Sequence, residues 1–181
     1  SLVGSEMCIR DRFTVLSVGF VLLASEVYRY VYVSRDFWGS TMLIPIFVSS
    51  YYTNFLCTFP VNFEYYHKKT KVVSIITIVS SLINVGLNYL LILRIGMAGA
   101  AVATLISHSL QLTLHYLYVR FALGGKEYPF PLKMWGGYAA VFAAVAVASV
   151  AADGLWLARW GLGAAVGLWE LLRIRKRKVL I

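Results

Sequence analysis

The chain has 181 residues, of which 60% are hydrophobic and 14% charged, and its mean hydropathy is +0.73. Soluble domains are typically about 45–50% apolar and about 25% charged, so the composition excludes an ordinary soluble domain and predicts a polytopic membrane protein. The net charge of +9 does not indicate a nucleic-acid partner, because the basic residues lie in loops between apolar runs, where they act as topology signals.

The first twelve residues, SLVGSEMCIRDR, fit no pattern in the rest of the chain. They resemble a translated sequencing-adapter tail, so we expect residues 1–12 to be non-native and the natural protein to be longer at its N-terminus. Residues 13–172 are predicted to form a transmembrane helical bundle. Residues 173–181 are predicted to form a basic cytoplasmic tail.

Six apolar segments follow one another along this bundle. About 20 apolar residues suffice to cross a bilayer, so we predict an all-α integral membrane protein of about six transmembrane helices. Glu26 and Arg29 interrupt the first segment, whose membrane part is expected to end near Ala24. Pro45 and Pro60 predict a kink in the second. The segments are 13–33, 38–59, 72–93, 97–119, 135–152 and 155–172.

The loops between these segments form two alternating sets of unequal charge. One set holds eleven basic residues and the other holds four, so the positive-inside rule places the first set, with the C-terminus, in the cytoplasm. The first set comprises loops 60–71, 120–134 and 173–181. The residues expected to set topology or to contact lipid headgroups are Lys68, Lys69, Lys71, Arg175, Lys176, Arg177 and Lys178.

Polar residues recur at helical spacing in the third and fourth segments. Such groups turn toward protein or water in a bilayer, so they predict either helix–helix packing contacts or the lining of a hydrated solute pathway. Histidine is notable among them because it titrates near neutral pH. The third segment carries Ser74, Thr77, Ser81, Asn84 and Asn88 on one face, and the fourth carries Thr104, His108, Gln111 and His115.

Small residues open the fourth segment after a predicted three-residue turn at 94–96. Gly96, Gly99, Ala100 and Ala103 predict close helix packing, and Gly163 with Gly167 repeats the pattern.

The sequence shows no catalytic constellation, and we expect no metal site, no cofactor and no disulfide between Cys8 and Cys57. His67 is interpreted as an ordinary loop residue.

One run of about 40 residues resembles a known family. Its matching features are Lys68-Lys69-Thr70-Lys71 before the third segment, Asn84 and Asn88 within it, and Gly96-x-x-Gly99-Ala100-Ala101 after it. This ordered set is similar to the C-terminal half of bacterial polysaccharide export proteins, the Wzx-type O-antigen flippases of the multidrug and oligosaccharide-lipid exporter superfamily. Leu93-Arg94-Ile95-Gly96 lacks the Pro and Phe usual in that turn, which leaves the subfamily open.

The resemblance implies a C-terminal lobe of a two-lobe fold, with an N-terminal lobe of the same chain missing. It also implies that the protein moves undecaprenyl-pyrophosphate-linked oligosaccharide across the bacterial inner membrane by alternating access, with H⁺ or Na⁺ as the coupling ion. The fragment alone is not expected to transport. Three alternatives stay open: a drug or cation exporter of the same superfamily, a membrane-embedded glycan enzyme or polymerase, and a scaffold subunit with no solute path.

Overall fold

The computed structural model describes residues 2–31 and 43–123 and the single positions 136, 137, 147, 161 and 168. The described segments form four α-helices and no strand, which confirms the all-α class for this part of the chain. The helices are α1 (Leu2–Val31), α2 (Ile44–Tyr66), α3 (Thr70–Ile95) and α4 (Met97–Ala122). The chain divides into two compact units, Ser1–Pro45 with Gly137–Ile181, and Ile46–Gly136.

Helix α1 is the main described element of the first unit. It is 30 residues long and runs without interruption through the tail-like segment 1–12 and past Ala24, where we expected the helix to give way to a loop. Near its start, Arg10 donates to the neighbouring carboxylate of Asp11 at 3.1 Å, and both side chains are buried.

Helix α2 extends further than the sequence predicted. Pro45 is its second residue, in the first turn, where the missing amide hydrogen costs no helical hydrogen bond. Pro60 lies inside the helix, which continues to Tyr66 instead of ending at residue 59. The predicted loop 60–71 is therefore wrong in its bounds: only three residues, His67 to Lys69, separate α2 from α3.

Helices α3 and α4 form an antiparallel hairpin whose bounds agree with the predicted segments to within three residues. The turn is shorter than expected, because Gly96 alone separates the helices. Its φ of 61° lies in the region that favours glycine. Three residues later, a Cβ on Gly99 would overlap the backbone carbonyl group of Leu91 on α3. The predicted close packing is thus seen at Gly99, whereas a Cβ on Gly96 would meet no atom within 4 Å.

Of the described helices, α3 and α4 are long and apolar enough to cross a membrane. Only 6% of the most apolar window of α3 is buried, which distinguishes it from the core helix of a soluble protein. Helices α1 and α2 are not among the candidate spans found in the described residues. The expected spans 135–152 and 155–172 lie outside the described residues.

Candidate functional site

The polar residues of α4 lie on the side of that helix that contacts α2. Thr104, His108, Gln111 and His115, the α4 seam, recur every three or four residues and therefore share one face. A different side of α4, with Gly99, Ala103 and Ser107, packs on α3. Helix α4 is thus the central element of the second unit, with polar contacts in two directions.

His108 makes the first contact between the α4 seam and α2. Its Nδ1 lies 2.9 Å from Oγ of Ser50 and 3.0 Å from the backbone carbonyl oxygen of the same residue. Because a carbonyl oxygen can only accept, Nδ1 carries the hydrogen and donates it. Ser50 is fully buried, and the ring of Tyr51 lies 6.2 Å from the imidazole, between centroids.

His115 makes the second contact, with a carboxylate. Its Nδ1 lies 2.9 Å from Oε1 and 3.0 Å from Oε2 of Glu64, and both side chains are 0% exposed. The imidazole of His115 therefore has no contact with solvent. A fully buried carboxylate is costly unless it is paired and hydrogen-bonded, so each partner depends on the other.

The two α2 contacts are spaced differently on the two helices. Ser50 and Glu64 are fourteen residues apart, about 21 Å along a straight helix, whereas His108 and His115 are seven apart, about 10 Å. This difference in spacing is expected if α2 crosses α4 at an angle or if α2 is bent. Pro60, which is buried and lies between the two contacts, is the residue at which a helical hydrogen bond is missing.

On its other side, α4 is joined to α3 by a chain of hydrogen bonds. Asn88 Nδ2 donates to Oδ1 of Asn84 at 2.9 Å, and Asn84 Nδ2 donates to Oγ of Ser107 at 3.1 Å. Ser107 Oγ in turn donates to the carbonyl oxygen of Ala103 at 2.8 Å. These three bonds run in one direction, from Asn88 to Ala103, which favours mutual polarisation. Asn88 Nδ2 also donates to the backbone carbonyl oxygen of Asn84.

The remaining residues of the predicted polar faces of α3 and α4 differ in their surroundings. Thr104 donates to the carbonyl oxygen of Ala100 on its own helix, and Gln111 is half-buried. On α3, the predicted stripe divides into two parts. Its C-terminal part, Asn84 and Asn88, faces α4. Its N-terminal part is exposed and comprises Ser74, Thr77 and Ser81. The two serines of this exposed part donate hydrogen bonds to backbone carbonyl oxygens of α3 itself.

The basic residues proposed as topology signals are exposed where they are described. Lys68 and Lys69 occupy the α2–α3 turn, and Lys71 lies in the first turn of α3. Lys68 has a φ of 57°, and the backbone amide of Lys69 donates to the carbonyl oxygen of Glu64, which closes the end of α2. His67 lies in this turn, as predicted. The basic tail 173–181 lies outside the described residues.

Sequence reasoning missed Ser50 and Glu64. Glu64 lies beyond the predicted end of the second segment at residue 59, and Ser50 is one hydroxyl group within an apolar run. A usable signal exists, because Ser50, Cys57 and Glu64 recur every seven residues, the same interval that separates His108 from His115. Residues seven apart lie two turns apart on one helix face, so both helices display a matching polar line.

Cys57 is buried, with a free thiol, on the face of α2 that carries Ser50 and Glu64. In the described part of the chain, no group of three or more His, Cys, Asp or Glu side chains is placed to hold a metal ion.

Comparisons of the chain with models of protein families, with curated proteins and with solved structures found no match. The site must therefore be interpreted from its own chemistry.

Proposed function

We propose that this chain is a membrane-embedded part of a lipid-linked oligosaccharide flippase of the bacterial inner membrane. In this proposal it moves an undecaprenyl-pyrophosphate-linked glycan from the cytoplasmic to the periplasmic leaflet by alternating access. The chain crosses the membrane several times and its C-terminus is cytoplasmic. The order of the motif from Lys68 to Ala101, which resembles that of the polysaccharide exporters, supplies the substrate class.

The outer surface of the α3–α4 hairpin supports the membrane part of this proposal. Large apolar side chains on α3 are exposed, including Leu82, Val85 and Leu93, each about two-thirds exposed or more. A soluble protein rarely leaves so long an apolar surface uncovered, whereas lipid covers it without cost. A single-residue turn at Gly96 fits a hairpin that crosses and recrosses a bilayer.

The observation that carries the proposal is the inward placement of the α4 seam. His108 and His115 contact α2, and Ser107 contacts Asn84 of α3, so these polar groups meet between helices. Ionisable residues inside a membrane protein typically face the bundle interior and mark solute or ion pathways. In an alternating-access transporter, such contacts can be exchanged between conformations without exposing polar groups to lipid.

Export of surface polysaccharide tests this proposal. The complete gene that encodes the chain is expressed in a strain that lacks its own oligosaccharide flippase, and surface glycan is measured by lectin binding. We expect restored export with the natural sequence and reduced export with His108→Ala combined with Gln111→Ala, at equal protein level. Ser109→Ala is the matched control, because Ser109 is exposed on α4 and bonds only to its own helix backbone.

The possible results separate the proposal from its rivals. Unchanged export in the His108 and Gln111 variant would assign the α4 seam to helix packing alone. Failure of the natural sequence to restore export, together with increased resistance to cationic drugs, would favour the drug or cation exporter. If the natural sequence neither restores export nor increases drug resistance, neither the flippase nor the drug or cation exporter is supported.

A further inference from the structure

We propose that Nε2 of His115 is a buried binding site for a single proton, and that the bound proton holds α2 against α4. The site consists of His115 and Glu64, which belong to different helices and meet at 2.9 Å. It requires only the α2–α4 contact and does not depend on the transported substrate. Nothing else described above assigns a ligand to these two residues.

The geometry of the contact identifies which atom gains or loses the proton. Nδ1 of His115 is almost equidistant from the two carboxylate oxygens, at 2.9 and 3.0 Å. In this proposal Glu64 is a carboxylate that accepts the Nδ1 hydrogen, and the near-equal distances fit that arrangement, since a protonated carboxyl group would donate from one oxygen only. With Nδ1 already carrying a hydrogen, Nε2 is the nitrogen that either binds the additional proton or holds a lone pair.

Nε2 has no hydrogen-bond partner among the described residues, although it is fully buried. A buried polar atom without a partner calls for an explanation, and here the explanation is the charge of the pair. With Nε2 unprotonated, the pair carries one negative charge in an apolar interior. One proton on Nε2 produces an imidazolium beside a carboxylate, and the net charge becomes zero, which removes most of the cost of burial.

Among the described residues, no Lys or Arg side chain forms an ion pair with Glu64. On α2, the Cys57 thiol interacts electrostatically with Glu64, but a thiol cannot supply positive charge. The side chains of Lys68 and Lys69, in the turn that follows α2, are exposed, and among the described residues Glu64 forms an ion pair with His115 only. The imidazolium is therefore the available counter-charge.

Burial also determines the class of ligand. Both side chains are 0% exposed, so a sugar, a phosphate or a hydrated metal ion has no access to Nε2 in this conformation. A proton needs only a transient chain of water molecules or a small opening of α2 from α4. Loss of the proton returns the pair to a net negative charge, which weakens the α2–α4 contact at this end.

Nitrogen-15 NMR of the full chain in lipid nanodiscs, labelled at histidine, tests the protonation state directly. The resonances of His115 are those lost in His115→Asn. At neutral pH we expect two similar nitrogen shifts, the signature of an imidazolium, in the natural protein. In Glu64→Gln we expect two well-separated shifts, the signature of a neutral ring. Ser50→Ala removes the hydroxyl contact to His108 and should leave the His115 shifts unchanged.

A neutral His115 ring in the natural protein would overturn the proposal, and this result needs no variant to fold. An imidazolium that persists in Glu64→Gln would overturn the role of the carboxylate. For the helix contact, spin labels at Tyr65 and Leu117, both exposed, report the distance between the helices. We expect this distance to lengthen at the pH at which the imidazolium signal disappears, and an unchanged distance would refute the link between the proton and the α2–α4 contact.

Discussion

The buried pair of Glu64 and His115 gives the sharpest stability prediction. Replacement of His115 by Leu leaves the Glu64 carboxylate with 0% exposure and without its hydrogen-bond donor. Breaking a buried ion pair in this way typically costs about 3–5 kcal/mol, because one partner remains buried without compensation. We expect Glu64→Leu to cost less, since the imidazole it leaves behind can be neutral.

The double variant distinguishes this explanation from simple loss of packing. When Glu64→Leu and His115→Leu are combined, no buried charge remains, and we expect a smaller loss of stability than the sum of the single losses. A coupling free energy of about 2–3 kcal/mol is expected for two residues in direct contact. Reversible unfolding in mixed micelles, followed by helical circular dichroism, measures all four proteins.

Thr113→Ala serves as the control for this cycle. Thr113 lies on the exposed side of α4, two residues before His115, and its hydroxyl donates to the carbonyl oxygen of Ser109. Its replacement should change the free energy of unfolding by less than about 0.5 kcal/mol. Additive losses in the Glu64 and His115 cycle would show that the two side chains do not interact in the folded protein, and would refute the reasoning.

Two further predictions concern the α3–α4 hairpin. Gly99→Ala should lower the free energy of unfolding by about 1–3 kcal/mol, because the added methyl group overlaps the backbone of α3. Gly86→Ala is the matched control, since a Cβ there meets no atom within 4 Å, and this change should be neutral or slightly stabilising. Equal losses of stability in the two variants would contradict the close approach of α3 and α4 at Gly99. A double-mutant cycle on Asn84→Ala and Ser107→Ala should give a coupling of about 0.6 to 1.7 kcal/mol, and zero coupling would show that their 3.1 Å hydrogen bond does not form.

The sequence predicted α3 and α4 well because their signals are local. Each is a long apolar run with clear ends: Lys68 and Lys69 precede α3, and Gly96 separates it from α4. The glycine spacing also predicted the close approach at Gly99, since small residues at such intervals commonly lie at helix interfaces. These features depend on neighbouring residues in the chain, which a sequence displays directly.

The partners of the α4 seam could not be predicted in the same way. His108 and His115 contact residues 58 and 51 positions earlier in the chain, and helical periodicity carries no information on which helix will face which. The polar line on α2 also extends past the predicted end of the second segment at residue 59, because the helix continues through Pro60 to Tyr66. Proline inside a helix is tolerated when its surroundings are buried and packed, a condition that depends on tertiary structure.

The arrangement of the hairpin in a bilayer is the central claim, and labelling of single cysteines tests it most directly. In a chain with Cys8→Ser and Cys57→Ala, a cysteine at Lys69 and a cysteine at Met97 mark the two ends of α3. With an impermeant maleimide on intact cells and on inverted membrane vesicles, we predict that the Lys69 position reacts only from the cytoplasmic side and the Met97 position only from the periplasmic side. Reaction of both positions from the same side would contradict a membrane-spanning α3 and, with it, the proposed place of the α4 seam inside a transmembrane bundle.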